Sequence, residues 1–178
     1  TDQNEPLVKD YLAKLDARLG TKSGTSRKLP DRIASKASRP SILARKPWHT
    51  IAHVRDTFRF KTVLNSLEDL PAVVDSLKEL GATVVKADFA KVMQPLEWGW
   101  RIAALDLRMP NGQLVEYYFP FKELEDAKKE GNHEIFEKWR NENFPITDPA
   151  KLREYQADLE LSRANYQAAW ESYLARTG

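Results

Sequence analysis

Residues 99–119 constrain the fold more than any other stretch of the chain. Two apolar-rich runs, Gly99-Trp100-Arg101-Ile-Ala-Ala-Leu-Asp-Leu-Arg108 and Gln113-Leu-Val-Glu116-Tyr-Tyr-Phe119, flank Asn111-Gly112. Asn-Gly is the strongest short-range hairpin signal, because both residues tolerate the positive φ of a two-residue turn. The chain is therefore expected to build adjacent antiparallel strands over 100–119. Alternation puts Val115 and Tyr117 on one face and Leu114, Glu116 and Tyr118 on the other. On the partner strand Asp106 and Arg108 alternate with Leu105 and Leu107. A carboxylate in such a strand is costly to bury unless a cation meets it. Two readings follow: Asp106 and Glu116 pair with strand neighbours, or Glu116 shares a metal ion with Asp56 of an earlier strand. Two acids from different strands of one sheet are the minimum that would hold a Mg2+ also carrying substrate phosphates.

The rest of the chain arranges itself around this hairpin. Residues 6–19 read as an amphipathic helix with Leu7, Tyr11, Leu12, Leu15 and Leu19 on one stripe and Pro6 in the first turn. Gly20 to Pro30 is polar and reads as a mobile connector. Two short helical pieces follow at 31–38 and 40–46, divided by Pro40 and stopped by Pro47. A strand is expected near 56–64, then a helix over 66–80 with Ser66 as N-cap and Gly81 at its end, then a strand at 82–88. Helices are expected over 121–129, 132–142 and 148–176, the last with Leu152, Leu159, Tyr166 and Tyr173 at heptad spacing, flanked by Tyr155 and Trp170. The order gives an α+β fold: a mixed central sheet of about 4–5 strands flanked by helices, with a long C-terminal helix. The expected division is an N-terminal helix and basic connector (1–30), a catalytic domain (31–145) and a C-terminal helix packed on it (146–178).

Charge is distributed unevenly. Residues 20–61 carry eleven Lys/Arg against Asp31 and Asp56, whereas residues 62–178 carry fourteen Lys/Arg against twenty acids. A basic segment on a near-neutral body suits polyphosphate or RNA, since each cation can meet a phosphate oxygen; the bland alternative is a solvated face or tether. With no cysteine, thiol catalysis, disulfides and thiolate metal sites are excluded. No apolar run is long enough to span a bilayer and no signal peptide is visible, so no membrane partner is expected. The chain starts at Thr1, which suggests a processed product or an excised module. Smaller candidates read as structural. Trp48 is expected to cap the core and Trp139 to lie in it. His49 and His53, four apart with no third ligand, read as packing or exposed. Asn132 reads as a helix cap and His133 as support for the site or the fold.

Four motifs in order resemble the RelA/SpoT-like nucleotidyltransferases, the synthetase domain of alarmone synthetases and related toxin enzymes. Arg39-Pro-Ser41-Ile-Leu-Ala-Arg45-Lys46 is similar to the family's basic Ser-Ile-x-x-Lys helix. Asp56 matches the Asp opening its first strand. Asp88 to Arg101 is laid out like its acceptor loop, and Val115-Glu116-Tyr117-Tyr118 lines up with its Val-Glu-x-Gln strand. The resemblance covers about Arg32 to Arg140.

It implies transfer of the β,γ-pyrophosphate of ATP to a ribose 3′-hydroxyl, releasing AMP. By that resemblance Asp56 and Glu116 are the catalytic residues and Mg2+ ligands. Lys36, Arg39, Ser41, Arg45, Lys46 and Arg59 would bind ATP, and Lys91, Trp100, Arg101 and Tyr118 the acceptor. Trp100 replaces the family's Tyr, Ala104 its His, and Tyr118 its Gln. The last two groups help define the acceptor, which stays open among adenosine nucleotides, guanosine nucleotides and the tRNA 3′ end. A growth-inhibiting toxin or secreted effector domain is expected. It would act in the target cytoplasm, delivered as part of a larger protein, with nucleotides or tRNA as partners and a neutralising immunity protein beside it. The rival readings are a non-catalytic nucleotide- or RNA-binding module and an interaction domain working through the C-terminal helix.

Overall fold

The structure is a computed structural model, and it describes residues 3–48, 50 and 58–178. The elements run α1 (Glu5–Leu19), β1 (Lys22–Arg27), α2 (Pro30–Ala37), α3 (Pro40–Leu43), β2 (Phe58–Val63), α4 (Leu70–Ser76), β3 (Thr83–Asp88), α5 (Ala90–Met93), β4 (Ala103–Arg108), β5 (Leu114–Phe119), α6 (Lys122–Ala127), α7 (His133–Trp139) and α8 (Pro149–Thr177). They group into two compact units. One holds residues 1–29, 55–94 and 102–122; the other holds 30–54, 95–101 and 123–178. The fold is α+β, a five-stranded mixed sheet with flanking helices and a long C-terminal helix.

The first unit is the sheet, ordered β1-β2-β5-β4-β3. The β2–β5 pair is parallel and its neighbours are antiparallel. Strict alternation in β2, β4 and β5 sends Phe58, Phe60, Leu105, Leu107, Val115, Tyr117 and Phe119 to a buried face. Phe60 stacks on Tyr117 with centroids 4.2 Å apart, and Tyr11 of α1 meets Tyr117 edge-on. Tyr117 O–H and Thr62 Oγ1 are 2.7 Å apart, and Thr62 lies 2.6 Å from Ser23 Oγ, so the buried hydroxyls satisfy one another. The opposite face, with Arg59, Lys61, Asp106, Glu116 and Tyr118, is only half-buried. Glu116 is thus not inside the apolar core, and solvent access relieves the burial cost anticipated for it.

The expected helix over 66–80 forms in three pieces. Ser66 and Asp69 make a reciprocal capping box at its start, and Gly81 ends it at φ 65°.

Several local expectations need correction. Gly20 to Pro30 is not a mere connector: residues 22–27 form the edge strand β1. Gly20 turns at φ 65°, and Asp16 then accepts from Thr21 Oγ1, Ser23 N and Ser23 Oγ, which lays the chain along β2. An edge strand without apolar residues leaves no hydrophobic signal. The apolar stripe of α1 is Val8, Tyr11, Leu12 and Leu15, while Leu7 is exposed.

The hairpin closes through three residues, not two. Met109 N–H donates to Gln113 O (2.9 Å) and Gly112 N–H to Met109 O (2.8 Å). A two-residue type I′ turn would need positive φ at Asn111, and among the described residues only glycines have it. Pro110 instead enters the turn and Gly112 takes φ 83°. The strand begins at Ala103, so Trp100 and Arg101 belong to the preceding loop.

In the second unit, α8 buries Tyr155, Ser162, Tyr166, Trp170 and Tyr173, while Leu152 is exposed and Leu159 half-buried. The buried stripe keeps Tyr166 and Tyr173 of the expected heptad, with Tyr155 and Trp170 beside them, and replaces its two leucines by Ser162. Trp139 is core as expected, its Nε1–H donating to Asp158 (2.7 Å). Trp48 is 62% exposed and does not cap the core. Asn132 makes no cap bond. A π-turn over Lys128–Asn132 carries the chain on into α7, and the buried Asn132 side chain bridges Ala127 O and Asn165. His133 is exposed near Glu137. His49 and His53 lie outside the described residues.

Candidate functional site

Register on the sheet's half-buried face places the expected residues in two rungs. Across β1-β2-β5-β4-β3, the first reads Ser26, Arg59, Glu116, Asp106, Lys86. Like charges directly opposite on antiparallel strands repel, so Glu116 beside Asp106 is an unfavourable pair. It is bracketed by a cation on each side, Arg59 on β2 and Lys86 on β3. Arg59 is held in place: its Nε–H donates to Ser26 Oγ (3.1 Å) and its guanidinium lies 5.4 Å from the Tyr118 ring centroid. Among the described residues no group of three or more metal-type side chains gathers. Among the described residues, the carboxylates that this rung offers a divalent cation are Glu116 and Asp106, an all-oxygen set that suits Mg2+ once phosphate or water oxygens complete it.

The second rung reads Gly24, Lys61, Tyr118, Ala104, Asp88. The two departures from the motif pattern, Ala104 and Tyr118, are therefore direct cross-strand partners, a small residue facing a large one. Lys91 joins the end of this rung, its Nζ 2.6 Å from Asp88 Oδ2. That bond holds the Asp88 carboxyl below its ordinary range.

Trp100 and Arg101 sit in the second unit, on a loop closed upon itself. Gly99 N–H donates to Leu96 O (2.8 Å) and Leu96 N–H to Trp100 O (2.9 Å). The Trp100 ring meets Tyr166 edge-to-face at 5.3 Å, and Lys128 Nζ lies 5.5 Å from its centroid. Arg101 is buried to 9% exposure, stacked 4.9 Å over Trp170 and 3.4 Å from Gln167 Oε1. Desolvation lowers its pKa from the ordinary arginine value. Lys36 at the end of α2 and Arg39 at the entry to α3 are half-buried, and Arg45 and Lys46 just beyond are exposed. These form one basic stretch, with Ser41 inside α3. Asp56 lies outside the described residues.

Sequence reasoning missed Lys128 and Tyr166 as neighbours of Trp100. The π-turn after Ala127 breaks helical spacing there, and its only trace in the sequence is Gly131, at φ 111°.

No protein-family model matches the chain, and no curated protein matches it. Solved structures do. Small alarmone synthetase 2 from Bacillus subtilis is similar at 19% identity and TM-score 0.58, over 98% of this chain and 97% of that one. The fold is RelA/SpoT-like. Small alarmone synthetase 1 from Bacillus subtilis, solved bound to its product pppGpp, has 18% identity and TM-score 0.59, covering 94% and 92% of the two chains. The same synthetase has also been solved bound to AMPCPP. The Type VI effector Tas1, solved with its immunity protein, has 17% identity and TM-score 0.57 over 92% of this chain and 89% of its own. The RelA/SpoT-like fold is thus common to synthetases and a Type VI effector. Among the described residues no helix is long and apolar enough to cross a membrane.

Proposed function

We propose that the chain is an ATP-dependent pyrophosphokinase of RelA/SpoT-like type, acting as a toxin or effector domain. The observation that carries this reading is the first rung: Glu116, on the strand whose sequence matches the Val-Glu motif, stands in register with Arg59 and Asp106 on an accessible polar face. In the reaction the acceptor's 3′-oxygen attacks the β-phosphorus of ATP. The bond from that phosphorus to the α,β-bridging oxygen breaks, and AMP leaves. Glu116 accepts the hydroxyl proton. Arg59 meets phosphate charge beside it, and Lys36, Arg39, Ser41, Arg45 and Lys46 supply the remaining phosphate contacts. Asp56 and Glu116 would hold Mg2+, which supplies charge neutralisation and alignment of phosphate oxygens.

Trp100 stacks the acceptor base and Tyr118 takes the place of the family's Gln, and Lys91 and Arg101 share the acceptor-binding role. The Ala104–Tyr118 pairing supports an acceptor pocket of altered shape, with an adenosine or guanosine nucleotide or the tRNA 3′ end as acceptor. Likeness to Tas1 supports delivery into a target cytoplasm within a larger effector, and a cognate immunity protein. The test is incubation with γ-labelled ATP and Mg2+ plus ADP, ATP, GDP, GTP or bulk tRNA. AMP release with a labelled product is expected for one acceptor class. Binding without AMP release for every acceptor would leave a non-catalytic nucleotide or RNA module.

A further inference from the structure

The loop at 95–101 is fastened to α8 at successive turns. Tyr155 O–H donates to Glu97 Oε1 (2.8 Å), Ser162 Oγ to Trp98 O (2.9 Å) and Arg163 Nε to Glu97 O (2.7 Å). Tyr166 meets Trp100, and Arg101 lies over Trp170. From Tyr155 to Trp170 these anchors span roughly 22 Å of helix at the α-helical rise.

Gly99 brings the two backbones into contact. It has φ 91°, and a Cβ there would stand 3.0 Å from Arg163 Cα and 3.2 Å from Tyr166 Cβ. Beside these anchors lies a cleft of about 530 Å3 lined by residues of both loop and helix, among them Pro95, Leu96, Gly99, Arg163 and Gln167. Ser162 is fully buried within an aromatic stripe, where an apolar side chain would bury more surface. Its hydroxyl is explained by the bond to Trp98 O, which offsets the loss of a polar group from water.

We propose that α8 positions the acceptor loop, with Ser162 and Arg163 as positioning residues that set where Trp100 presents its ring; this rests on the acceptor role of Trp100 proposed above. Neither residue touches the reacting atoms. Both fix main-chain carbonyls of the two residues preceding Gly99-Trp100. The C-terminal helix is then a working part of substrate selection as well as a packing element.

The test uses the full chain labelled with 5-fluorotryptophan, the Trp100 resonance being identified with Trp100→Phe. Ser162→Ala and Arg163→Met should each shift or broaden the Trp98 and Trp100 fluorine signals and leave Trp48 unmoved. With ATP and the preferred acceptor, each should raise the acceptor KM about 10-fold, the effect of losing one hydrogen bond, and leave the ATP KM within about twofold. A lowered Tm with both KM values unchanged, or an unmoved Trp100 signal in both variants, overturns the proposal. Should the unmodified chain transfer to no acceptor, the pyrophosphokinase reading fails and the positioning of acceptor fails with it. The fluorine signals still decide separately whether α8 fixes the ring.

Discussion

On the sheet, Glu116 is held by main-chain ladders on both sides, from β2 and from β4. In the 95–101 loop, Trp100 is held by side-chain hydrogen bonds, ring contacts and one close backbone approach. The ladders do not depend on which side chain stands at position 116, so chemistry there can change without moving the scaffold. The loop closes on itself by main-chain bonds, but its hydrogen bonds to α8 come from side chains, and altering one should move the residue it presents. The proposed transfer would draw on both kinds of support, a fixed carboxylate for the donor chemistry and an adjustable loop for the acceptor. The motif departures at Ala104 and Tyr118 fall on the ladder, facing each other, where an exchange of side chains leaves the strands in register.

That contrast can be broken by experiment. Glu116→Gln should reduce pyrophosphate transfer by roughly 10²–10⁴. Its unfolding free energy should stay within about 0.5 kcal/mol, as expected for a half-exposed position. A comparable loss of stability would show that the rung is structural. Gly99→Ala should do the reverse in proportion. A side chain at φ 91° facing Arg163 Cα at 3.0 Å should cost about 1–3 kcal/mol in denaturant unfolding, and the acceptor KM should rise with it. Unchanged stability would mean the loop yields freely and is not pinned by α8. Tyr117→Phe sharpens the comparison one residue from Glu116, on the opposite face. Losing the hydroxyl that meets Thr62 should cost about 1 kcal/mol and leave transfer kinetics unaltered.

The ladder half of the molecule was legible in the sequence because period-2 alternation in 103–108 and 114–119 is a direct record of two unlike faces. Glu116 and Asp106 could be placed on strands from that alone. What alternation cannot record is which strands are neighbours, so the rung joining Arg59 to Glu116 across a parallel pair had to come from the fold. Strand β1 left no trace because Lys-Ser-Gly-Thr-Ser-Arg pairs by backbone, with side chains that would suit any loop.

The loop half was hidden for a different reason. Its anchors join residues more than fifty positions apart, as with Glu97 and Tyr155, and spacing carries no information at that range. The heptad of α8 was right at Tyr166 and Tyr173, with Tyr155 and Trp170 beside them, and wrong at its two leucines. Leu152 and Leu159 are good helix formers that lie at the margin, while the aromatic residues carry the buried surface. Asp56, on which the catalytic reading leans, lies outside the described residues.

The smallest effect concerns Tyr155, which joins the two ends of the loop argument. Burial, and then the Glu97 carboxylate that accepts its O–H, push its phenol up to about 12. The unfolded phenol ionises near about 10. A folded pKa above the unfolded one means the native state holds the proton more tightly. The stability this contributes is complete below the unfolded value and is lost as pH rises from there through about 12. Burial also raises the Tyr117 and Tyr166 phenols, so the chain as a whole should weaken on the alkaline side. Tyr155→Phe should be less stable than the parent near neutral pH, because Glu97 loses its donor, yet fall less steeply above pH 10. Unfolding curves collected across that range, with phenolate absorbance followed in parallel, read both slopes. If the two slopes coincide, Tyr155 ionises as it does in the unfolded chain, and the Glu97 contact is too loose to count among the anchors of the loop.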